Sequence, residues 1–103
     1  MSQEILLKEI MDLGKKISQN KILNSNNHIY TVDKNQVEDW FNKIRYFTLN
    51  ELDYDLKEKL KTFIANNENF FNSFSSVIDE NIFQRMKQLF RECFVDSNCT
   101  IGE

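Results

Sequence analysis

Three carboxylates lie close together in the segment ELDYD, where Glu51, Asp53 and Asp55 surround Tyr54. Paired carboxylates can act as general acid and general base in catalysis. Acidic residues are also common at the start of a helix, where the helix dipole favours negative charge. A third role is contact with a partner protein. We favour helix capping among these three roles and consider catalysis the least supported.

A second charged feature lies on the last predicted helix. Gln84, Lys87, Gln88 and Arg91 share one face of this helix, opposite its apolar stripe. A polar face of this kind is typical of contact with solvent, and the alternative is contact with an acidic partner. The two charged features together give the candidate partner contacts Glu51, Asp53, Tyr54, Asp55, Lys87 and Arg91.

Residues suited to metal binding or nucleophilic catalysis are few. The single histidine, His28, lies in an Asn-rich loop, and the two cysteines, Cys93 and Cys99, are separated by five residues. A metal site usually combines several such ligands at suitable spacing. The chain also lacks a P-loop, a GxGxxG motif and an HExxH motif, and no histidine follows an arginine. We therefore expect no catalytic residue, no cofactor and no metal, although a Ser–His or Cys–His pair that meets only in space stays an alternative.

The composition disfavours several classes of protein. The 103 residues are enough for one domain, residues 1–103, and the absence of proline with only two glycines disfavours an all-β fold. The net charge of −3 disfavours a nucleic-acid partner. No apolar run approaches the roughly 20 residues that span a bilayer, and the N-terminus does not resemble a signal peptide. We expect a cytoplasmic protein with reduced thiols and no membrane contact.

Apolar periodicity predicts an all-α fold, a compact bundle of four to five short helices. The predicted helices cover residues 2–23, a segment that starts at residue 33, at least residues 54–65, a shorter segment from about residue 70, and about residues 80–95, with about 96–103 as a frayed tail. Their apolar stripes are Leu6, Ile10, Leu13 and Ile17; Val37, Trp40, Phe41, Ile44 and Phe47; Leu49, Leu52, Leu56, Leu60 and Phe63; Phe70, Phe71, Phe74, Val77 and Ile78; and Ile82, Met86, Leu89 and Cys93.

Residues at the predicted helix boundaries support the same interpretation. Ser2 and Asp33 are suitable N-cap residues, and Gln36 completes the spacing of a capping box with Asp33. Gly14 weakens the first helix by about 1 kcal/mol relative to alanine, and it can also let another helix approach closely. Residues 29–32, IYTV, have the composition of an extended segment, but no strand partner is evident in the sequence.

Several of these residues match a pattern found in a known group of proteins. Ile10 and Gly14 form an apolar-x-x-x-Gly step, Tyr30, Val32 and Asp33 form an extended Y-x-V-D segment, and Trp40 lies at the centre of the helix that follows. Residues 6–52 thereby resemble the helical module that precedes effector domains in bacterial and phage-defence proteins. The chain differs in having isoleucine where the step begins with leucine, and no effector domain follows within the 103 residues. The resemblance implies an interaction or regulatory module and carries over no active site.

These observations predict a non-enzymatic helical protein-binding module, a small regulator in the conflict between phage and bacterium. Its partner would be another protein, and a homo-oligomer is a further possibility for so small a domain. The first alternative is a phage-encoded inhibitor that occupies the nucleic-acid site of a nuclease by acidic mimicry, with Glu51, Asp53 and Asp55 in its acidic surface. The second alternative is a small enzyme.

Overall fold

The computed structural model describes residues 2–95, and this part of the chain contains four α-helices, a short 3₁₀ helix and three short strands. Its elements are α1 (Gln3–Gln19), β1 (Ile22–Asn24), β2 (Ile29–Asp33), α2 (Lys34–Leu49), α3 (Tyr54–Asn67), a 3₁₀ helix (Glu68–Asn72), β3 (Val77–Asp79) and α4 (Glu80–Glu92). Most of the described residues are helical, as predicted. The fold is not purely all-α, however, because the three short strands form a small antiparallel sheet.

The helices begin where the sequence supplies an acceptor side chain. The Ser2 hydroxyl accepts the N–H of Ile5, and the Asp33 carboxylate accepts the N–H of Gln36 at 3.1 Å. These bonds satisfy backbone donors that the first turn of a helix leaves without a partner. Both caps agree with the prediction from sequence. The first helix ends at Gln19, earlier than predicted, because the chain turns at Asn20 into the sheet.

The sheet corrects two predictions. The strand order is β1-β2-β3, so the extended segment of residues 29–33 has a partner on each side, with Thr31 opposite Ile22 and Val32 opposite Ile78. Residues from 70 onward do not form a fourth α-helix; they form the 3₁₀ helix and then β3. The Ser75 hydroxyl accepts the N–H of Val77 at 3.2 Å, and this local bond competes with a helix at that point.

Helix α3 reaches beyond the predicted minimum of residues 54–65, and the last helix is shorter than predicted. Helix α3 continues to Asn67 and ends within the polar segment NNEN at 66–69, where the 3₁₀ helix follows. The Asn67 side chain is buried and donates to the carbonyl of Phe63 at 2.7 Å, so its polar group is satisfied inside the protein. The last helix ends at Glu92, and the predicted tail at 96–103 lies outside the described residues.

Trp40 lies at the centre of the core. Its side chain is 1% exposed, and its ring makes edge contacts with Phe63 of α3 and with Phe83 and Phe90 of α4. The other predicted core residues of α2 are buried as well, namely Val37, Phe41, Ile44 and Phe47. One aromatic cluster thereby joins α2, α3 and α4.

Gly14 explains how α1 reaches this cluster. A Cβ atom at Gly14 would lie 3.2 Å from Nε1 of Trp40 and 3.2 Å from Cδ of Lys87. Only a residue without a side chain lets these two groups lie so close to the α1 backbone. The close approach that the sequence predicted at Gly14 is therefore confirmed, and it involves both α2 and α4.

Candidate functional site

The acidic cluster lies in the link between α2 and α3, and two of its three carboxylates have structural partners. Asp53 is the N-cap of α3 and accepts the N–H of Leu56 at 3.1 Å. Glu51 accepts the N–H of Asp53 at 3.0 Å and the side-chain amide of Gln3 at 3.0 Å. Asp53 thus has the capping role that we favoured from the sequence, and Glu51 joins the link to α1 through Gln3. Asp55 lies in the first turn of α3 and is exposed.

The same link exposes large apolar side chains. Leu52 is 97% exposed, and Leu49 and Tyr54 are each 73% exposed. Large apolar side chains that stand together on a surface often mark a site of protein interaction. We call the segment Leu49–Asp55 the link surface. It combines three apolar side chains with three carboxylates.

The two predicted contacts on α4 differ in their surroundings. Arg91 is exposed, whereas Lys87 is half-buried and turned toward α1. The Lys87 ammonium donates to the Ser18 hydroxyl at 2.6 Å and lies 5.1 Å from the ring centroid of Phe83. Burial lowers the pKa of Lys87, the positive charge of Arg91 lowers it further, and Glu80 opposes the change. Lys87 therefore joins α4 to α1, while Arg91 lies on the outer surface.

A groove that was not predicted from the sequence runs between α3 and α4. Its volume is about 560 Å³. The residues that line it are Lys59, Thr62, Phe63, Asn66 and Asn67 of α3, Phe70 of the 3₁₀ helix, and Asn81, Ile82, Arg85, Leu89 and Cys93 at α4. We call this site the α3–α4 groove. Among the described residues that line it, the charged ones are both basic, one on each wall: Lys59 on α3 and Arg85 on α4.

The floor of the groove is apolar. Phe63 and Cys93 are buried there, and Ile82 and Leu89 are half-buried against the core. The sequence contained one signal for this groove, since the apolar stripe of α4 is wider than the part that packs on Trp40. From the sequence it stayed open whether the aromatic helix faces are core or interface, because periodicity does not show which apolar positions a neighbouring helix leaves uncovered.

A smaller cavity of about 380 Å³ continues the groove toward the start of α3. It shares Lys59, Thr62, Leu89 and Cys93 with the groove, and it adds Glu58 and Glu92. Glu58 forms an ion pair with Lys61 at 3.2 Å, and Glu92 accepts the side-chain amide of Gln88 at 3.1 Å. The charge along the site therefore changes from basic at Arg85 to mixed at the end nearest the link surface.

The described residues supply little chemistry for metal binding or nucleophilic catalysis. Within residues 2–95, no group of three or more His, Cys, Asp and Glu side chains is placed to hold a metal ion. His28 is exposed in the turn between β1 and β2, where its backbone has a positive φ of 56°. Burial raises the pKa of the Cys93 thiol, which keeps it in the less reactive protonated form.

Comparison with known proteins identified no relative of this chain. The chain matches no protein family, no curated protein and no solved structure. Within residues 2–95, the helices are too short or too polar to cross a bilayer. The α3–α4 groove and the link surface are therefore the features from which a function can be proposed.

Proposed function

We propose that this chain is a non-enzymatic protein-binding module and that it binds through the α3–α4 groove. The observation that carries this proposal is the apolar floor of the groove, which lies open between two helices in a protein whose core is already filled by Trp40 and its neighbours. A groove of this kind suits a segment of another chain that inserts apolar side chains at regular spacing. Polar side chains along the rim can then fix the orientation of that segment.

The chemistry of the groove supports binding over catalysis. Among the described residues that line it there is no histidine and no carboxylate, so the groove offers no pair of groups suited to general acid–base catalysis. Its thiol, Cys93, has a raised pKa. Two carboxylates of the link surface have structural hydrogen bonds, since Asp53 caps α3 and Glu51 accepts the backbone N–H of Asp53. These observations favour an interaction protein over a small enzyme.

The link surface favours contact with a protein over mimicry of a nucleic acid. A mimic of the phosphate backbone needs carboxylates that dominate its surface, whereas Leu52 and Tyr54 project between the carboxylates here. Apolar side chains flanked by charges are typical of protein interfaces. A role as a regulator in the conflict between phage and bacterium is part of this proposal, and only the resemblance of residues 6–52 to defence-associated modules supports it.

Affinity capture with matched variants tests the proposal. Thr62 is exposed on the α3 wall of the groove, so Thr62→Arg should fill the groove without disturbing the core. Ala65 is exposed on the same helix but outside the groove, so Ala65→Arg adds the same side chain as a control. We expect the wild-type chain and Ala65→Arg to retain the same protein from a lysate of the source cells, and Thr62→Arg to lose it.

Two results would contradict the proposal. One is that no protein is retained specifically by the wild-type chain. The other is that Thr62→Arg retains the same protein as the control while its circular dichroism spectrum shows that it is folded. The second result would place the binding site elsewhere on the surface.

A further inference from the structure

We propose that the α3–α4 groove binds the link surface of a second copy of this chain, so that two copies exchange their links across a two-fold axis. This inference rests on the proposed function, because it names the partner that occupies the same groove. A single interface of this kind would cover both the apolar floor of the groove and the exposed apolar side chains of the link surface. A domain of 103 residues buries a smaller share of its surface than a larger one, which makes such association favourable.

The link surface and the α3–α4 groove are complementary in charge, and both expose apolar side chains. The link surface presents Leu52 and Tyr54, both largely exposed, among three carboxylates. The groove presents an apolar floor, and its charged lining residues Lys59 and Arg85 are basic. Insertion of the link would cover apolar side chains on both copies and place carboxylates near the two basic residues. Complementary charge of this kind selects the partner and its orientation.

The position of the link on α3 permits a symmetric exchange. Asp55, Lys59, Thr62 and Asn66 recur at spacings of four, three and four, so Asp55, the last residue of the link surface, lies on the same face of α3 as the groove wall. Asp53 precedes Phe63 by ten residues, which corresponds to about 15 Å along a helix axis. If the α3 helices of two copies lie antiparallel, each link comes opposite the other copy's groove.

The centre of this arrangement has opposite charges in place. The two-fold axis would pass near Glu58 and Lys59, so each copy would present an acidic and a basic side chain to the same pair in its partner. An interface of this type closes with two copies, because each link and each groove is used once. It therefore gives a dimer and does not continue into a fibre.

Sedimentation equilibrium of the full chain over a range of concentrations tests the inference. We expect the wild-type chain to reach twice its monomer mass of 12.3 kDa as concentration rises. Leu52→Ser changes a side chain that is almost fully exposed, so the monomer should fold normally. We expect this variant to weaken dimerisation about 100-fold, since roughly tenfold is lost at each of two identical contacts. Thr62→Arg should also abolish the dimer because its side chain fills the groove, and Asn35→Arg, which adds the same side chain at an exposed position of α2, should leave the dimer unchanged.

A mixture of the two defective variants gives the decisive result. Leu52→Ser keeps an intact groove and Thr62→Arg keeps an intact link, so an equimolar mixture restores one of the two contacts. At a concentration where each variant alone is monomeric, we expect the mixture to form a heterodimer that is weaker than the wild-type dimer. This recovery is specific to an exchange of link and groove, because in an interface where each residue contacts its own counterpart the mixed dimer would carry a defect in both contacts.

The outcomes that overturn this inference are distinct from those that overturn the proposed function. A folded wild-type chain that stays monomeric at all concentrations overturns it, whatever else binds in the groove. A dimer that persists in both Leu52→Ser and Thr62→Arg overturns it too, because the interface then lies elsewhere. If the chain is monomeric but Thr62→Arg still loses a captured protein, the second copy is excluded and the protein-binding function stands.

Discussion

At the scale of single residues, Gly14 decides how closely α1 packs on the core. Replacing it with alanine in an ordinary helix would stabilise the protein by about 1 kcal/mol. Here the new methyl group would press on Trp40, which three neighbouring aromatic rings hold in place. Overpacking of this kind costs about 1–3 kcal/mol. We expect Gly14→Ala to lower the free energy of unfolding by about 1 kcal/mol in urea denaturation.

The control for this prediction is a substitution to alanine at a neighbouring exposed position. Lys15 is exposed on α1, so Lys15→Ala should change the free energy of unfolding by no more than about 0.5 kcal/mol. A stabilisation by Gly14→Ala would show that Trp40 and Lys87 move aside readily, contrary to the packing described above.

The titration of Lys87 makes the free energy of unfolding depend on pH, and the direction of this change follows from the environment of the Lys87 side chain. Its pKa in the folded protein is lowered below the ordinary value of 10.5, mainly by burial and also by Arg91. As pH rises toward 10.5, the folded protein releases this proton before the unfolded chain does, so the free energy of unfolding increases. We expect urea denaturation at a series of alkaline pH values to show this increase for the wild-type chain and a smaller increase for Lys87→Met.

A matched variant separates this effect from a general loss of positive charge. Lys16 is exposed on α1, so Lys16→Met removes the same charge from the surface. If Lys87→Met and Lys16→Met change the pH dependence equally, the partial burial of Lys87 does not control its titration.

At the scale of elements, Asp53 and Asp55 at the start of α3 allow the stabilisation by an N-cap hydrogen bond to be separated from the stabilisation by negative charge alone. The Asp53 carboxylate accepts the N–H of Leu56, whereas Asp55 lies exposed in the first turn. Loss of an N-cap side chain costs about 1 kcal/mol, and loss of a favourable charge near the N-terminus costs about 0.5 kcal/mol. We therefore expect Asp53→Ala to destabilise the protein about twice as much as Asp55→Ala, as measured by thermal or urea denaturation. Equal effects would show that the Asp53 cap adds nothing beyond its charge.

The elements also show which parts of the fold can be predicted from sequence. Helix α2 was predictable because its hydrogen bonds and its apolar stripe are local, and its N-cap at Asp33 lies next to it in the chain. Strand β2 was recognisable only as an extended segment, since one of its partners, Ile78, lies far along the chain. The acidic link was visible as a cluster of residue types. The groove could not be predicted from the sequence, because it exists only where α3 and α4 leave apolar residues uncovered.

At the scale of the whole molecule, the described residues share one hydrophobic cluster. Its members come from all four α-helices and from two strands, with Leu6 on α1, Val32 on β2 and Ile78 on β3 among them. Trp40, the single tryptophan of the chain, lies within this cluster and contacts rings from α3 and α4. No helix can therefore separate from the others without exposing part of the same core.

This arrangement predicts cooperative unfolding. Trp40 fluorescence reports the packing of the core, and far-ultraviolet circular dichroism reports the helices, so the two signals should follow one transition in urea. Phe90→Ala removes a ring that contacts Trp40, and at a typical cost of about 3–5 kcal/mol it should shift both curves together to lower urea. Phe74→Ala changes a fully exposed ring and should leave both curves in place. If helical signal persisted after Trp40 became exposed to water, part of the helical structure would be stable without the shared core, and the prediction of a single cooperative domain would be wrong.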